Sequence, residues 1–261
     1  MNRLQLVELE DLPWFPAILR DGGTAFLEFA ERLSGHGRMM VGPIERALDA
    51  TGETQIIDLC SGGGGPGSML ADELKKRGRD VTVTLTDLFP NAPAFAHARA
   101  QSSGRVIGHP TPVDATAVPP ELRGMRTIFN AFHHFPPNLA RQVLANAARD
   151  RQPIAVVEVV SRELPMLLGL LFSPLTVTLT MPLWRPFRWP WVLSTWLLPV
   201  MQPFVLWDGV VSWLRIYSPD ELRALVAGID APGWTWDIGT IQLGNAPLHG
   251  TYLVGYPTPS A

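Results

Sequence analysis

The chain has 261 residues, of which 46% are hydrophobic and 17% charged, with one cysteine and a formal net charge of −3. That length accommodates one large domain with an embellishment, and the composition excludes both a disordered chain and a disulfide-stapled mini-protein. With a pI near 6.1 and no global basic field, nucleic acid is not expected as a partner, and the excess of 19 Arg over 2 Lys reads as codon bias.

In chain order, residues 1–53 read as a helical cap. Helices are expected at Asp11 to Arg20, Thr24 to Leu33 and Pro43 to Ala50, broken by Gly22, Gly23, Gly35, Gly37 and Gly42. The N-terminal stretch mixes charges among its apolar residues and lacks the uninterrupted apolar run of a secretion signal. Together with the lone Cys60, this points to a reducing, cytoplasmic setting. From residue 54 to 160, strands at Gln55 to Leu59, Val81 to Thr86, Arg105 to Val113, Arg126 to Asn130 and Ile154 to Val160 alternate with helices. Those helices run from Pro66 to Arg77, Pro93 to Gln101 and Pro137 to Arg149. The runs IIDL, VTVTL and IAVVEVV are continuous and β-branched, as strands covered on both faces require. The alternation predicts a Rossmann-like, doubly wound α/β sheet, mostly parallel.

The alternation stops at residue 161. An insert spanning 161–216 follows, in which Arg185, Arg188 and Asp208 are the only charges between Leu164 and Leu214, and which holds six of the nine tryptophans. Residues 217–261 complete the core. SPDEL is a capping box with Pro219 at the first helical position, and Trp234 to Leu243 and Gly250 to Tyr256 read as a closing antiparallel pair, giving seven strands.

The stretch IIDLCSGGGGPGS carries the most chemistry. Asp58 lies near the end of a buried strand, followed by a turn of small residues and a helix start whose free amides favour an anion or carboxylate. Gly62, Gly64 and Gly67 also satisfy the G-x-G-x-x-G of nicotinamide and flavin folds. Asp87 closes the second strand, where it can accept from both hydroxyls of a ribose. Asp114 with the Ala115 amide follows the third and can address an adenine edge. IFNAFHHFPP ends the fourth beside the switch point of the sheet.

At these residues the chain resembles class I S-adenosylmethionine-dependent methyltransferases, over 54 to 160 and most of 216 to 256. The resemblance implies S-adenosyl-L-methionine as cofactor. It makes Asp58 the acid of the glycine motif, with Ser61, Gly62 and Gly64 in the turn and Cys60 where the family usually has its first glycine. It assigns the ribose to Asp87, an adenine flank to Leu88 or Phe89, the adenine edge to Asp114 and Ala115, and the methionine end to Asn130 through Phe132. A nicotinamide-dependent oxidoreductase is the sharper enzyme alternative; Asp58, where that fold normally has an apolar residue, and the closing hairpin speak against it.

Methyl transfer from a sulfonium needs alignment, exclusion of water and, for some acceptors, removal of a proton. His133, His134 and Glu158 are the catalytic candidates, and no metal is expected. The insert reads as a lid around an apolar substrate, as a membrane-docking element or as a hairpin span. Pro165, Pro174, Pro182, Pro190, Pro199, Pro203 and Asp208 oppose simple spanning. The protein is therefore expected to methylate a hydrophobic small molecule or lipid-like acceptor, in the cytoplasm or on the inner face of the membrane. The alternative from another class is a non-catalytic, membrane-associated or partner-binding protein retaining the nucleotide fold. A second copy of the chain, instead of lipid, could also cover the insert.

Overall fold

The β-branched runs form the centre of a seven-stranded sheet in the computed structural model, which describes residues 3–243 and 248–258. Residues 1–2 of the cap, 244–247 between the closing strands and 259–261 lie outside that description. Strands β1 (Gln55–Leu59), β2 (Thr82–Leu85), β3 (Val106–Gly108), β4 (Met125–Phe129) and β5 (Ile154–Glu158) are parallel. The hairpin of β6 (Trp234–Gln242) and β7 (His249–Pro257) completes the order β3-β2-β1-β4-β5-β7-β6, with β7 antiparallel to β5. This is the doubly wound, mostly parallel sheet with a C-terminal antiparallel hairpin that the alternation predicts.

One face of the sheet packs on α2 (His36–Thr51), α3 (Gly65–Lys76) and α4 (Ala92–Gln101) through Ile44, Leu48, Leu70, Leu74 and Phe95. The other packs on α5 (Pro137–Arg149) and α10 (Pro219–Val226) through Val143, Leu144, Leu222 and Leu225. The Ser218–Glu221 capping box forms in both directions, with Ser218 Oγ accepting from Glu221 N and Glu221 Oε2 from Ser218 N.

Two expectations from the sequence are corrected here. Of the glycines expected to break the cap only Gly35 does, in a left-handed conformation between two helices: α1 (Ala17–Ser34) runs through Gly22 and Gly23, and α2 runs through Gly37, Gly42 and Pro43. Gly22 and Gly23 instead let side chains of the insert approach. A Cβ at Gly22 would lie 3.1 Å from Trp191 Nε1, one at Gly23 3.0 Å from Phe204, and one at Gly37 2.9 Å from Met69 Cβ. The third strand is three residues long, ending at Gly108 instead of Val113. His109 and Val113 still donate to the carbonyls of Leu85 and Asp87, but Pro110 and Pro112 have no N–H to continue a ladder.

The insert folds back on the cap. It comprises α6 (Leu164–Leu171), α7 (Ser173–Thr180), α8 (Trp189–Val192) and α9 (Met201–Arg215). Trp184, Trp191, Met201 and Phe204 form a third apolar core with Phe15 and Ala25 of the cap. Trp191 Nε1 donates to the Ile18 carbonyl at 2.9 Å, and Arg188 pairs with Asp21 of α1 at 2.7 Å. Among the described residues no single helix is long and apolar enough to cross a membrane. Two bent pairs pass by length and composition, with bends of 47° near Phe172 and 88° before Met201.

Candidate functional site

The glycine turn sits at the carboxyl end of β1 because the backbone there must turn within a few residues without side-chain clashes. Cys60, Gly62 and Gly64 all have positive φ, at 56°, 53° and 80°. Cys60 therefore occupies a left-handed position of the kind glycine favours, which identifies the backbone demand at the point where the sequence departs from the family pattern. Burial pushes its thiol up, away from the reactive range. Gly67 is needed for closeness: a Cβ would lie 2.9 Å from Asp58 Oδ2 and 3.0 Å from Leu85.

Asp58 is buried at the base of this turn and accepts from Thr127 Oγ1 at 2.7 Å; burial pushes its carboxyl up to about 7. Ser61 binds the turn to β2, its hydroxyl donating to the Asp58 carbonyl and accepting from Thr86 N. Asp87 faces the turn, with Oδ2 accepting from Gly62 N at 2.9 Å and Oδ1 from Phe89 N at 2.8 Å. Leu88 and Phe89 are exposed beside it. Asp114 is occupied locally, Oδ1 accepting from both N and Oγ1 of Thr116, and Ala115 is buried in the second core. Phe132 lies in the same core, against Phe135 and Tyr217.

Two acidic residues that sequence reasoning missed complete the pocket from above. Glu28 of α1 lies over the turn, its Cγ only 2.6 Å from where a Gly65 Cβ would be. Glu31 is buried and accepts from Asn130 Nδ2, while Asn130 Oδ1 accepts from Val159 N at 2.8 Å. Burial pushes Glu31 up to about 8. Their spacing on the α1 stretch FLEFAER was visible, but nothing local indicated that this helix crosses the sheet end. Arg188 and Trp191 of the insert, with Asp21, Thr24 and Asn91, wall the adjoining cleft, so one edge of the insert stands at the mouth of the pocket.

The raised Glu31 has a measurable consequence. A native carboxyl that keeps its proton to about 8, against an ordinary value near 4.5, contributes stability that is full below about pH 4.5 and is lost as pH rises through about 8. Wild-type unfolding midpoints are expected to fall from about pH 6 to about pH 9, and Glu31→Gln, which cannot ionise, to show a shallower fall. Equal slopes in a pH series of urea titrations would contradict the burial assigned to this group.

The three catalytic candidates are brought together at the end of β4 and β5. His133 Nδ1 lies 3.0 Å from Glu158 Oε2, and His133 N donates to Glu158 Oε1 at 2.9 Å. His134 Nδ1 lies 2.7 Å from Asp11 Oδ1, and the two imidazoles are 4.4 Å apart. His133 and Glu158 are buried and His134 is partly exposed. The 3₁₀ turn Leu9–Asp11 of the N-terminal segment covers them, held by Asp208, which accepts from Leu9 N at 2.7 Å and Glu10 N at 3.0 Å.

No protein-family model matches the chain, and no curated protein matches it. Solved structures do. The chain is similar to the plantazolicin methyltransferase in complex with SAH, at 12% identity and a TM-score of 0.55, over 92% of this chain and 95% of that one. It is also similar to an O-methyltransferase family protein from Burkholderia thailandensis, at 17% identity and 0.52, over 92% of this chain. A third is an O-methyltransferase family 2 protein from Planctomyces limnophilus in complex with apigenin, at 14% and 0.51, over 90% of this chain. The chain spans 59% and 62% of the latter two. The fold is therefore a methyltransferase fold.

Proposed function

We propose that the protein transfers a methyl group from S-adenosyl-L-methionine to a hydrophobic, lipid-like acceptor taken up at a membrane surface. The observation that carries the first half is the ring of carboxylates around the β1 turn. Asp87 offers two oxygens to a ribose diol. Glu31 and Asp58, whose carboxyls burial holds protonated, would ionise on meeting the positive sulfonium and ammonium groups, which favour the carboxylate, and the glycine turn leaves room for backbone contact. The bound cofactor would supply an electrophilic methyl. The chain's own part is to orient the reactants and exclude water. His133, His134 and Glu158 are assigned to the methyl-donor end of the site as the groups that shape and hold the end of β4. A structure neighbour in complex with SAH supports the same cofactor.

The second half rests on the insert. Its inner side is packed on α1, while Leu164, Leu171, Phe172, Leu179, Trp189, Leu197 and Leu198 are each more than half exposed. This is far more apolar surface than a soluble domain ordinarily leaves open, and rings beside Arg185 and Arg188 suit the headgroup depth of a bilayer. Helices bent by 47° and 88° lie in an interface more readily than they cross it.

The test uses cofactor labelled in its methyl group. With an anionic phospholipid vesicle preparation carrying a bacterial lipid extract, label is expected in the organic phase, and the protein is expected to float with the vesicles. The triple variant Trp189→Ser, Leu197→Ser, Leu198→Ser is expected to lose at least about tenfold in vesicle partitioning while still binding cofactor. Unchanged flotation of the triple variant would remove the membrane reading, and label confined to the aqueous phase would remove the lipid-like acceptor.

A further inference from the structure

A group of side chains at the end of β4 points to a ligand that methyl transfer does not require. Glu8 is fully buried, yet neither of its carboxylate oxygens has a hydrogen-bond partner. His133 Nε2 is likewise buried and unpartnered. The neighbouring groups make their hydrogen bonds elsewhere. Arg215 donates to Asp11, the His133 carbonyl and the His134 carbonyl, and its Nη1 forms a buried ion pair with Glu8 Oε1 at 3.1 Å without a hydrogen bond. Asp208 accepts from the Leu9 and Glu10 amides, and Glu158 and Asp11 hold the two Nδ1 atoms.

The atoms left without hydrogen bonds converge. His133 Nε2 is 3.6 Å from Glu8 Oε1, His134 Nε2 is 3.5 Å from Glu8 Oε2, and His134 Nε2 is 3.6 Å from Glu10 Oε1. These separations exceed a hydrogen bond of about 3 Å. They approach the edge of about 3.3 Å between donors of a tetrahedral ion bound at about 2.05 Å. Each imidazole has a partner arrangement found in metal ligands: a carboxylate accepts from Nδ1–H and so fixes the tautomer, leaving the Nε2 lone pair free, and the three residues offer ligand atoms within 4.8 Å of one another. We propose that Glu8, His133 and His134 bind one first-row transition-metal dication. Two nitrogens and a carboxylate suit Zn²⁺ or a neighbour in that row over Mg²⁺ or Ca²⁺, which favour oxygen alone.

The position gives the ion a structural task. The three protein donors join the N-terminal segment to the loop after β4. That loop carries Asn130, the partner of Glu31. The ion departs from the expectation that the protein needs no metal, and it is independent of whether the chain transfers methyl groups.

Untagged protein, dialysed against Zn²⁺ and then metal-free buffer, is expected to retain one zinc per chain by elemental analysis, and to melt at a lower temperature after a strong chelator. Co²⁺ in its place is expected to give visible absorption bands of a four-coordinate site. Glu8→Gln and His134→Gln are each expected to weaken zinc binding by at least about tenfold, while His109→Gln, at a half-buried histidine after β3 whose ring pairs with Thr111, leaves it unchanged. Wild type that keeps no zinc and melts identically with and without chelator would overturn the proposal, whether or not the variants fold. Stoichiometric zinc unaffected by both cluster substitutions would overturn it as well.

Discussion

Asp87→Ala is expected to weaken S-adenosylhomocysteine binding by roughly a hundredfold, or about 3 kcal/mol, in calorimetric titrations. The carboxylate stands at the end of β2 with one oxygen on the Gly62 amide and the other on the Phe89 amide. In that position it both holds the glycine turn and presents acceptors to a ribose diol. Removing it deletes charge-assisted hydrogen bonds to the ligand and leaves the Gly62 N–H unpaired. Asp87→Asn keeps an acceptor oxygen but loses the charge, and is expected to fall between wild type and Asp87→Ala. Binding within about threefold of wild type in Asp87→Ala would remove the ribose assignment. Absence of binding in the wild type itself would remove the cofactor.

Trp184→Ala is expected to cost about 3–5 kcal/mol, the range for emptying a large buried aromatic site. Trp184 is completely buried, with its ring centroid 5.6 Å from Phe26 of α1 and 5.9 Å from Trp191, and its Nε1 donates to Thr180 Oγ1 at 3.1 Å. The cavity opens where the insert meets the cap, so the loss is expected first as faster amide exchange in α1 and α7, ahead of the central strands. The exposed Trp189, on the same insert, provides the contrast: Trp189→Ala is expected within about 0.5 kcal/mol of wild type in denaturant titrations. Equal costs at the two positions would mean that the insert is not anchored through its inner face. Because α1 also carries Glu28 and Glu31, loosening this contact is expected to weaken cofactor binding without touching the glycine turn.

Both expectations depend on features of very different legibility. Asp87 was recognisable because a strand end, a glycine turn and a helix start are written within a short window. The same holds for β1, α5 and the Ser218–Glu221 cap, where propensity, β-branching and capping chemistry are local. The insert was visible as a break in composition, since a long stretch almost free of charge needs no structure to be noticed. The direction in which it folds was not visible. Gly22 and Gly23 looked like helix breakers because glycine is a poor helix former. Contact with Trp191 and Phe204, far along the chain, decides that they are close-approach sites inside a continuous helix.

The candidate site divides in the same way. Local order along the chain determined the alternating sheet, the turn with Asp58 and Asp87, and the pairing of His133 and His134 at the end of a strand. Tertiary structure alone decided that Cys60 takes a left-handed backbone and that Glu31 is buried against Asn130. It also decided that Glu8 and Glu10 meet the histidines and that Asp208, far along the chain, holds their segment in place. The reason is physical. Hydrogen-bonded turns and periodic apolar faces are set by neighbours a few residues apart, whereas burial of a carboxylate depends on which distant surfaces close over it, and no window of sequence contains them.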